Sequence, residues 1–388
     1  MTLVIHGEVS RGFEPVREIF KAFWDDIEVG SSVCAYYQGN KVVDLWGGHC
    51  APDGVEKWQR DTLVNVYSTT KGMGSLALAI LADEGKIDYA EKVSTYWPEF
   101  GAAGKQSVTV AQLVSHQAGL CGVETKLTTS DLYDWQKMVN LLAAQRPLWP
   151  LGSGAGYHAI TWGYFPGELI RRITGQTLGE YFQARVAGPL KADFFIGLPD
   201  QHHHRCATMV GPNRARKQPA PSNKPVMPAL FPIALQNPSV SPFKDASSPP
   251  WRRAEIAGAN GQSNANGIAK VYAALANGGE LKGTRIISEA GLREALCEEV
   301  NDQTDLVLGK PMRLGRGFML NTGEEFGPNT ASFGHTGAGG SIGFADPTNH
   351  LAVGYAMNQM QADASATPRA TLLINALYGC IDRVGSPP

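Results

Sequence analysis

A serine hydroxyl is a poor nucleophile and needs a base within hydrogen-bond reach. Ser68-Thr69-Thr70-Lys71 places both groups three residues apart, and on a helix that spacing puts hydroxyl and amine on one face. At the first turn of a helix, Oγ also lies beside free backbone N–H groups and the positive end of the dipole. A nucleophile, a base and one arm of an oxyanion hole would then share a single turn. The lysine accepts a proton near neutral pH only if desolvation or nearby positive charge lowers its pKa. Ser241-Pro242-Phe243-Lys244 repeats the spacing. Context separates the two: Val64–Tyr67 reads as a strand and Lys71–Leu81 as a buried helix, whereas Ser241 sits among prolines with neither.

Two further segments could converge on Ser68. Gly154-Ala155-Gly156-Tyr157-His158-Ala159 leads through glycines to a tyrosine just before a helix, where a phenol could relay a proton to a departing alkoxide. His335-Thr336-Gly337-Ala338-Gly339-Gly340 is glycine-dense at a strand, as expected where a ligand approaches the backbone closely. Taken singly, Ser68 could be a plain helix cap, Lys71 a surface lysine and Tyr157 a turn tyrosine; together they read as a site.

Other motifs invite weaker readings. His202-His203-His204 cannot turn three consecutive rings to one ion from a regular strand or helix, so no metal is expected. His116 reads as a helix-end histidine. Gly339-Gly340-Ser341-Ile342-Gly343 matches a nucleophile elbow formally, but an elbow needs a helix after the serine, then an acid and a histidine well downstream. Here a strand follows, and His350 is the only later histidine.

The elements that must hold these residues fall into two groups. Phe13–Phe23 has helical spacing, and Ser32–Tyr37 and Val42–Trp46 read as strands joined by a turn at Gln38–Lys41. The Ser68 helix should stop at Glu84-Gly85. Helices are expected at Val110–Leu113, Trp162–Ile173, Leu178–Val186, Ile268–Asn277 and Arg369–Tyr378, and strands at Gly317–Leu320, Ser341–Ala345 and Leu351–Ala356. Strands at both ends and helices in the middle predict an α/β (α+β) chain: one antiparallel sheet built from both termini and flanked by helices, with a mainly helical insertion. The boundaries follow as 1–92 plus 255–388 for the α/β domain and 93–254 for the helical one. Ten of the 24 prolines fall between Gly211 and Pro250, and a long ordered loop of that kind is expected to form a wall of the substrate pocket.

Composition excludes several function classes. A formal net charge of −2, with 43% hydrophobic and 18% charged residues, is ordinary for a packed enzyme and gives no reason to expect nucleic acid or an anionic membrane as partner. The six cysteines lack any Cys-x-x-Cys and read as scattered buried thiols, which fits a reducing compartment. Met1–Glu8 shows neither a basic n-region nor an apolar h-region, and no apolar run is long enough to span a bilayer. A cytoplasmic protein is expected; no oligomeric state follows.

With these motifs in view the chain resembles the serine β-lactamase and penicillin-binding superfamily, in its class C-like branch and closest to the family VIII carboxylesterases. Ser-x-x-Lys after a strand, Leu113-Val114-Ser115-His116-Gln117-Ala118-Gly119-Leu120, the tyrosine motif and His-Thr-Gly stand in that family's order. Val43–Gly48 and Tyr96–Phe100 look like the esterase branch. The resemblance implies a β-lactamase-like fold, Ser68 as the acylated nucleophile, Lys71 as its proton acceptor and Tyr157 as the assisting phenol. It implies an oxyanion hole from the N–H groups of Ser68 and Ala338, substrate contacts at His335, Thr336 and Gly337, and no cofactor. Two departures matter: Ala159 stands where β-lactamases of this branch keep asparagine, and His335 where they keep lysine. Both remove polar handles for a charged amide, so a small-molecule carboxylic ester is the expected substrate. A β-lactamase or D-amino-acid peptidase, an acyltransferase and an inactive scaffold protein are the alternatives.

Overall fold

The computed structural model describes residues 4–25, 28–212, 227–361 and 368–385. Nine strands form one sheet in the order Ile5–Val9, Asn40–Gly48, Gly30–Tyr37, Leu351–Met357, Ile342–Asp346, Phe333–Thr336, Met319–Leu320, Pro311–Leu314, Val300–Thr304. All neighbours are antiparallel. The N-terminal hairpin turns at Gln38 and Gly39, with φ of 49° and 71°. Two consecutive left-handed residues match the twist of the flanking strands. That hairpin pairs with Leu351–Met357 (Val33 opposite Tyr355), so chain ends distant in sequence meet at the sheet centre. Residues 93–254 contribute none of the nine strands.

No residue of Leu351–Met357 is exposed, so the strand is covered on both faces and reads as an unbroken apolar run. The Ala265–Ala276 helix lies on this strand and on Ile342–Asp346. Gly343 and Gly354 permit the contact: a Cβ at Gly343 would sit 2.4 Å from Ile268 Cγ2, and one at Gly354 2.3 Å from the Ala265 carbonyl oxygen. The terminal helices, Glu14–Ala22 and Pro368–Gly385, pack on each other. The second reaches the sheet through Tyr378, whose hydroxyl donates to Asp346 Oδ2 at 2.6 Å.

The Ser68 helix, Thr69–Asp83, is buried from Thr69 through Leu81. A helix apolar all round belongs inside the fold. It ends as expected at Gly85, in the left-handed conformation at φ 68°. The strand leading into it, Val64–Asn65, belongs to a small separate sheet with Gln262–Ser263 and Phe194–Phe195. This pairing carries Gly258–Gly261 to the start of the helix.

Several elements depart from the sequence reading. Ile5–Val9 and Val300–Thr304 with Pro311–Leu314 are strands, and Trp135–Ala144 is a helix capped by Asp134 Oδ1 on the Lys137 N–H at 3.0 Å, whereas the strand expected at His335 is present as Phe333–Thr336. The Leu178 helix runs through a π turn at Gln183–Ala187 to Leu190, and the terminal helix reaches Gly385. Cys297 is exposed, unlike the buried thiols expected; the free cysteines Cys34, Cys50, Cys121 and Cys380 are buried and Cys206 partly so. Residues 213–226 of the proline-rich loop lie outside the described residues. Its remainder forms short helices at Phe231–Leu235 and Pro249–Arg253. Among the described residues no helix is long and apolar enough to cross a membrane.

Candidate active site

Ser68 occupies the N-cap position of its helix, yet its side chain makes no capping bond. The residue before it, Tyr67, has φ 46°, a conformation that non-glycine residues adopt when surrounding structure enforces it. Three contacts enforce it here. Val66 N–H donates to Gly261 O at 2.9 Å, the Tyr67 hydroxyl donates to Pro242 O, and Ser341 Oγ donates to Val66 O at 2.8 Å. Ser341 Oγ also meets Thr69 Oγ1 at 3.1 Å. This serine is therefore a clasp between strand and helix, and no helix follows it. The space expected for a ligand at Gly337 is filled by the protein: a Cβ there would lie 2.1 Å from Ser341 Oγ and 2.4 Å from Val66 O.

Lys71 is fully buried. Its Nζ lies 2.6 Å from Gly258 O, 2.7 Å from Ala159 O and 3.1 Å from Ser68 Oγ. Burial drives its pKa well below the ordinary lysine value. A neutral amine has two N–H groups and one lone pair. The two carbonyls can only accept, so they take both N–H groups and leave the lone pair to the Ser68 hydroxyl proton. That is the arrangement of a base poised on a nucleophile.

Tyr157 packs its ring 4.7 Å from Lys71 Nζ. Burial pushes its phenol up and the neighbouring Ser68 hydroxyl moderates the rise, so the phenol stays protonated beside the Lys71 amine. His116, at φ 67°, orders this loop by accepting the His158 N–H on Nδ1 at 2.9 Å. His335 is buried against Tyr157, with ring centroids 6.1 Å apart. Its Nδ1 lies 2.6 Å from Thr336 O; a carbonyl only accepts, so Nδ1 carries the proton. Nε2 is then a bare acceptor, without a hydrogen-bond partner among the described residues. Burial lowers the His335 pKa to about 3, and the ring is neutral throughout the physiological range.

Ala338 follows Gly337 in a turn closed by Gly340 N–H on Gly337 O at 3.0 Å. Among the described residues neither the Ser68 nor the Ala338 N–H is taken by a backbone carbonyl. Ser68, Tyr157, His335, Thr336 and Ala338 all border one cavity of about 240 Å³. Its other walls are mainly apolar, with Phe231, Leu235, Val240 and Pro242 coming from the proline-rich segment and Trp251 from the helix after it. His202–His204 lie on a separate 3-10 turn, Asp200–Arg205. Ser241 Oγ accepts the Lys244 N–H at 3.1 Å within a local turn.

Two contributors had no signal in the sequence. Gly258 offers only a carbonyl, and a Cβ there would meet Ile160 O at 2.7 Å. Asp305 is buried; its Oδ1 accepts the N–H groups of Val307 at 2.9 Å and Leu308 at 2.7 Å. The Tyr157 N–H also stabilises the Asp305 charge, and Leu306 N–H donates to Ala155 O at 2.9 Å. This turn fastens the Tyr157 segment from outside.

The family model for beta-lactamase matches residues 16–377. The chain belongs to the beta-lactamase family. Esterase/beta-lactamase LipL of Mycobacterium tuberculosis (strain ATCC 25618 / H37Rv) is 34% identical over 356 residues, covering 88% of this chain and 80% of that protein. The crystal structure of a family VIII carboxylesterase shares 47% identity at a TM-score of 0.91, covering 97% of this chain and 100% of that one. A penicillin-binding protein homolog from Caulobacter crescentus is 38% identical at a TM-score of 0.87, with 97% and 100% covered. In this beta-lactamase-family chain the second motif ends at Ala159, which contributes its backbone carbonyl to Lys71, and the third begins with a neutral imidazole.

Proposed function

We propose that this beta-lactamase-family chain is a serine carboxylesterase that cleaves small-molecule esters through an acyl-enzyme on Ser68. The observation that carries the reading is the buried Lys71 amine, held by Gly258 O at 2.6 Å and Ala159 O at 2.7 Å with Ser68 Oγ at 3.1 Å. In acylation Oγ attacks the ester carbonyl and its proton passes to Lys71 Nζ. The developing oxyanion takes the N–H groups of Ser68 and Ala338, each such donor being worth about 3–4 kcal/mol. The Tyr157 phenol protonates the departing alkoxide and is refilled from Lys71. Water then attacks the acyl-enzyme, gives its proton back through the same pair, and Ser68 leaves as the hydroxyl.

The likeness to the family VIII carboxylesterase supports an ester substrate, as do Ala159 and the neutral His335 in a mainly apolar cavity. His335 and Thr336 line the cavity as its substrate-facing edge, and Gly337, packed against Val66 and Ser341, holds their strand in place. A β-lactam side activity is the second reading, favoured by the likeness to Esterase/beta-lactamase LipL. The division into 1–92 with 255–388 and 93–254 is part of the same proposal, with the cavity drawing walls from both parts. Six cysteines without a disulfide support a reducing, cytoplasmic setting.

Turnover of a p-nitrophenyl ester and of nitrocefin, measured side by side for wild type and Ser68→Ala, tests the reading. Ester turnover lost in Ser68→Ala and far above nitrocefin turnover in wild type is expected. Ester activity surviving in Ser68→Ala would sink it.

A further inference from the structure

Lys310 is the one formally charged side chain among the described residues lining the cavity. Its partners in the fold are all backbone. Asp305 N–H donates to Lys310 O at 2.9 Å and Gly309 N–H to Asp305 O at 2.8 Å, closing a six-residue turn. The Asp305 carboxylate caps that turn from inside, so the position of the Lys310 backbone is fixed. The neighbouring cations are neutralised, Arg313 by Glu298 and Arg316 by Glu299. Lys310 has no carboxylate within ion-pair distance among the described residues. Asp305 feels its charge but faces the Val307 and Leu308 N–H groups instead.

Burial is the main cause that holds the His335 imidazole neutral, and the nearby Lys310 charge adds a smaller push in the same direction. The positive charge of this pocket therefore resides on Lys310 and not on the motif residue. Leu308, Met312 and Met319 line the same cavity around it. A mainly apolar cavity bordered by both a serine nucleophile and a lysine without a carboxylate partner among the described residues selects a particular ligand. It should be apolar along its length and anionic away from the reacting carbonyl.

We propose that Lys310 is the anion-recognition point of the substrate pocket, and that the preferred esters carry a carboxylate separated from the scissile bond by an apolar spacer. Half-esters of dicarboxylic acids fit if the anion is on the acyl side, and carboxyl-bearing alcohols or phenols if it is on the leaving side. The inference rests on the ester hydrolase reading and deepens it.

Two pairs of substrates separate the sides. The p-nitrophenyl half-ester of glutaric acid is compared with p-nitrophenyl butyrate, and the butyrate ester of 4-hydroxybenzoate with phenyl butyrate. In one pair the wild-type preference for the anionic member, as a ratio of kcat/KM, should fall roughly tenfold in Lys310→Met, the scale of one charge-assisted hydrogen bond. Lys310→Arg should keep the preference, and added salt should erode it in wild type. Ratios equal in wild type and Lys310→Met for both pairs overturn this inference alone. Turnover of all four esters by Ser68→Ala overturns the underlying reading with it.

Discussion

Lys71 Nζ lies 2.6 Å from the carbonyl oxygen of Gly258, a residue 187 positions away that has no side chain. This contact and its counterpart at Ala159 fix the direction in which the amine points. Desolvation disfavours the charged form, and the two acceptors orient the amine toward Ser68.

Substituting Lys71 tests that division of labour. Lys71→Met should lower kcat/KM on a p-nitrophenyl ester by roughly 10²–10⁴-fold, the range for a lost general base. Lys71→Arg should be no better, because a guanidinium stays charged and has no lone pair to offer. Steady-state kinetics, with circular dichroism to verify folding, read the outcome.

The pH profile follows from the same burial. The folded pKa of Lys71 is lowered well below its unfolded value, so between the two the unfolded chain binds the extra proton. Stability attributable to Lys71 therefore rises with pH across that window. Activity should climb through the folded pKa as the neutral amine forms. The difference in urea stability between wild type and Lys71→Met, followed against pH, should carry the upward slope. A flat difference would contradict it.

Gly258→Ala should be inactive out of proportion to its size. The new methyl would press on Ile160 O at 2.7 Å and Ala159 O at 3.0 Å, which are backbone atoms that cannot swing aside. Both acceptors of the lysine then shift. A misplacement of about 1 Å costs roughly 10²-fold in rate, and the loss should fall on kcat more than on KM.

Asp305→Ala leaves the buried Val307 N–H and the half-buried Leu308 N–H without their acceptor, at about 1–3 kcal/mol for the buried one. Asp305→Asn keeps an acceptor oxygen and sheds a buried charge, so it should be much closer to wild type in urea denaturation. Burial raises the Asp305 pKa, so its ionised form is penalised on folding. The stability linked to this group falls as pH rises from the unfolded carboxylate value through the raised one.

Ser341→Ala should keep most ester turnover while losing stability, because Ser341 Oγ bonds Val66 O and Thr69 Oγ1 and faces neither Lys71 nor Tyr157. Two buried hydrogen bonds place the loss at about 1–3 kcal/mol. A dead enzyme with unchanged stability would reinstate Ser341 as a nucleophile.

Much of the site was readable because its chemistry sits on side chains in local context. Ser68 and Lys71 share one helical turn, and Tyr157 and His335 stand in glycine-rich runs. Gly258 and Asp305 escaped for a physical reason. A carbonyl acceptor leaves no mark in residue type, and Asp305 acts on a tyrosine more than a hundred positions away through a turn that only the fold defines. The large sheet was legible where strands are apolar throughout, as in Leu351–Met357. It was illegible at Ile5–Val9, an edge strand of alternating burial containing a glycine, and at Val300–Thr304, four of whose five residues are exposed.

The Tyr67 hydroxyl bonded to Pro242 O links two properties that an engineer would prefer to vary separately. Residue 67 sets the direction in which Ser68 points, and residue 242 belongs to the segment that shapes the cavity. A loop grafted over 227–250 to change substrate range would release Tyr67 from its anchor and let the nucleophile drift. Variant libraries that keep Tyr67 and Pro242 together, and diversify Phe231, Leu235 and Val240 around them, should yield altered selectivity with the reaction rate preserved.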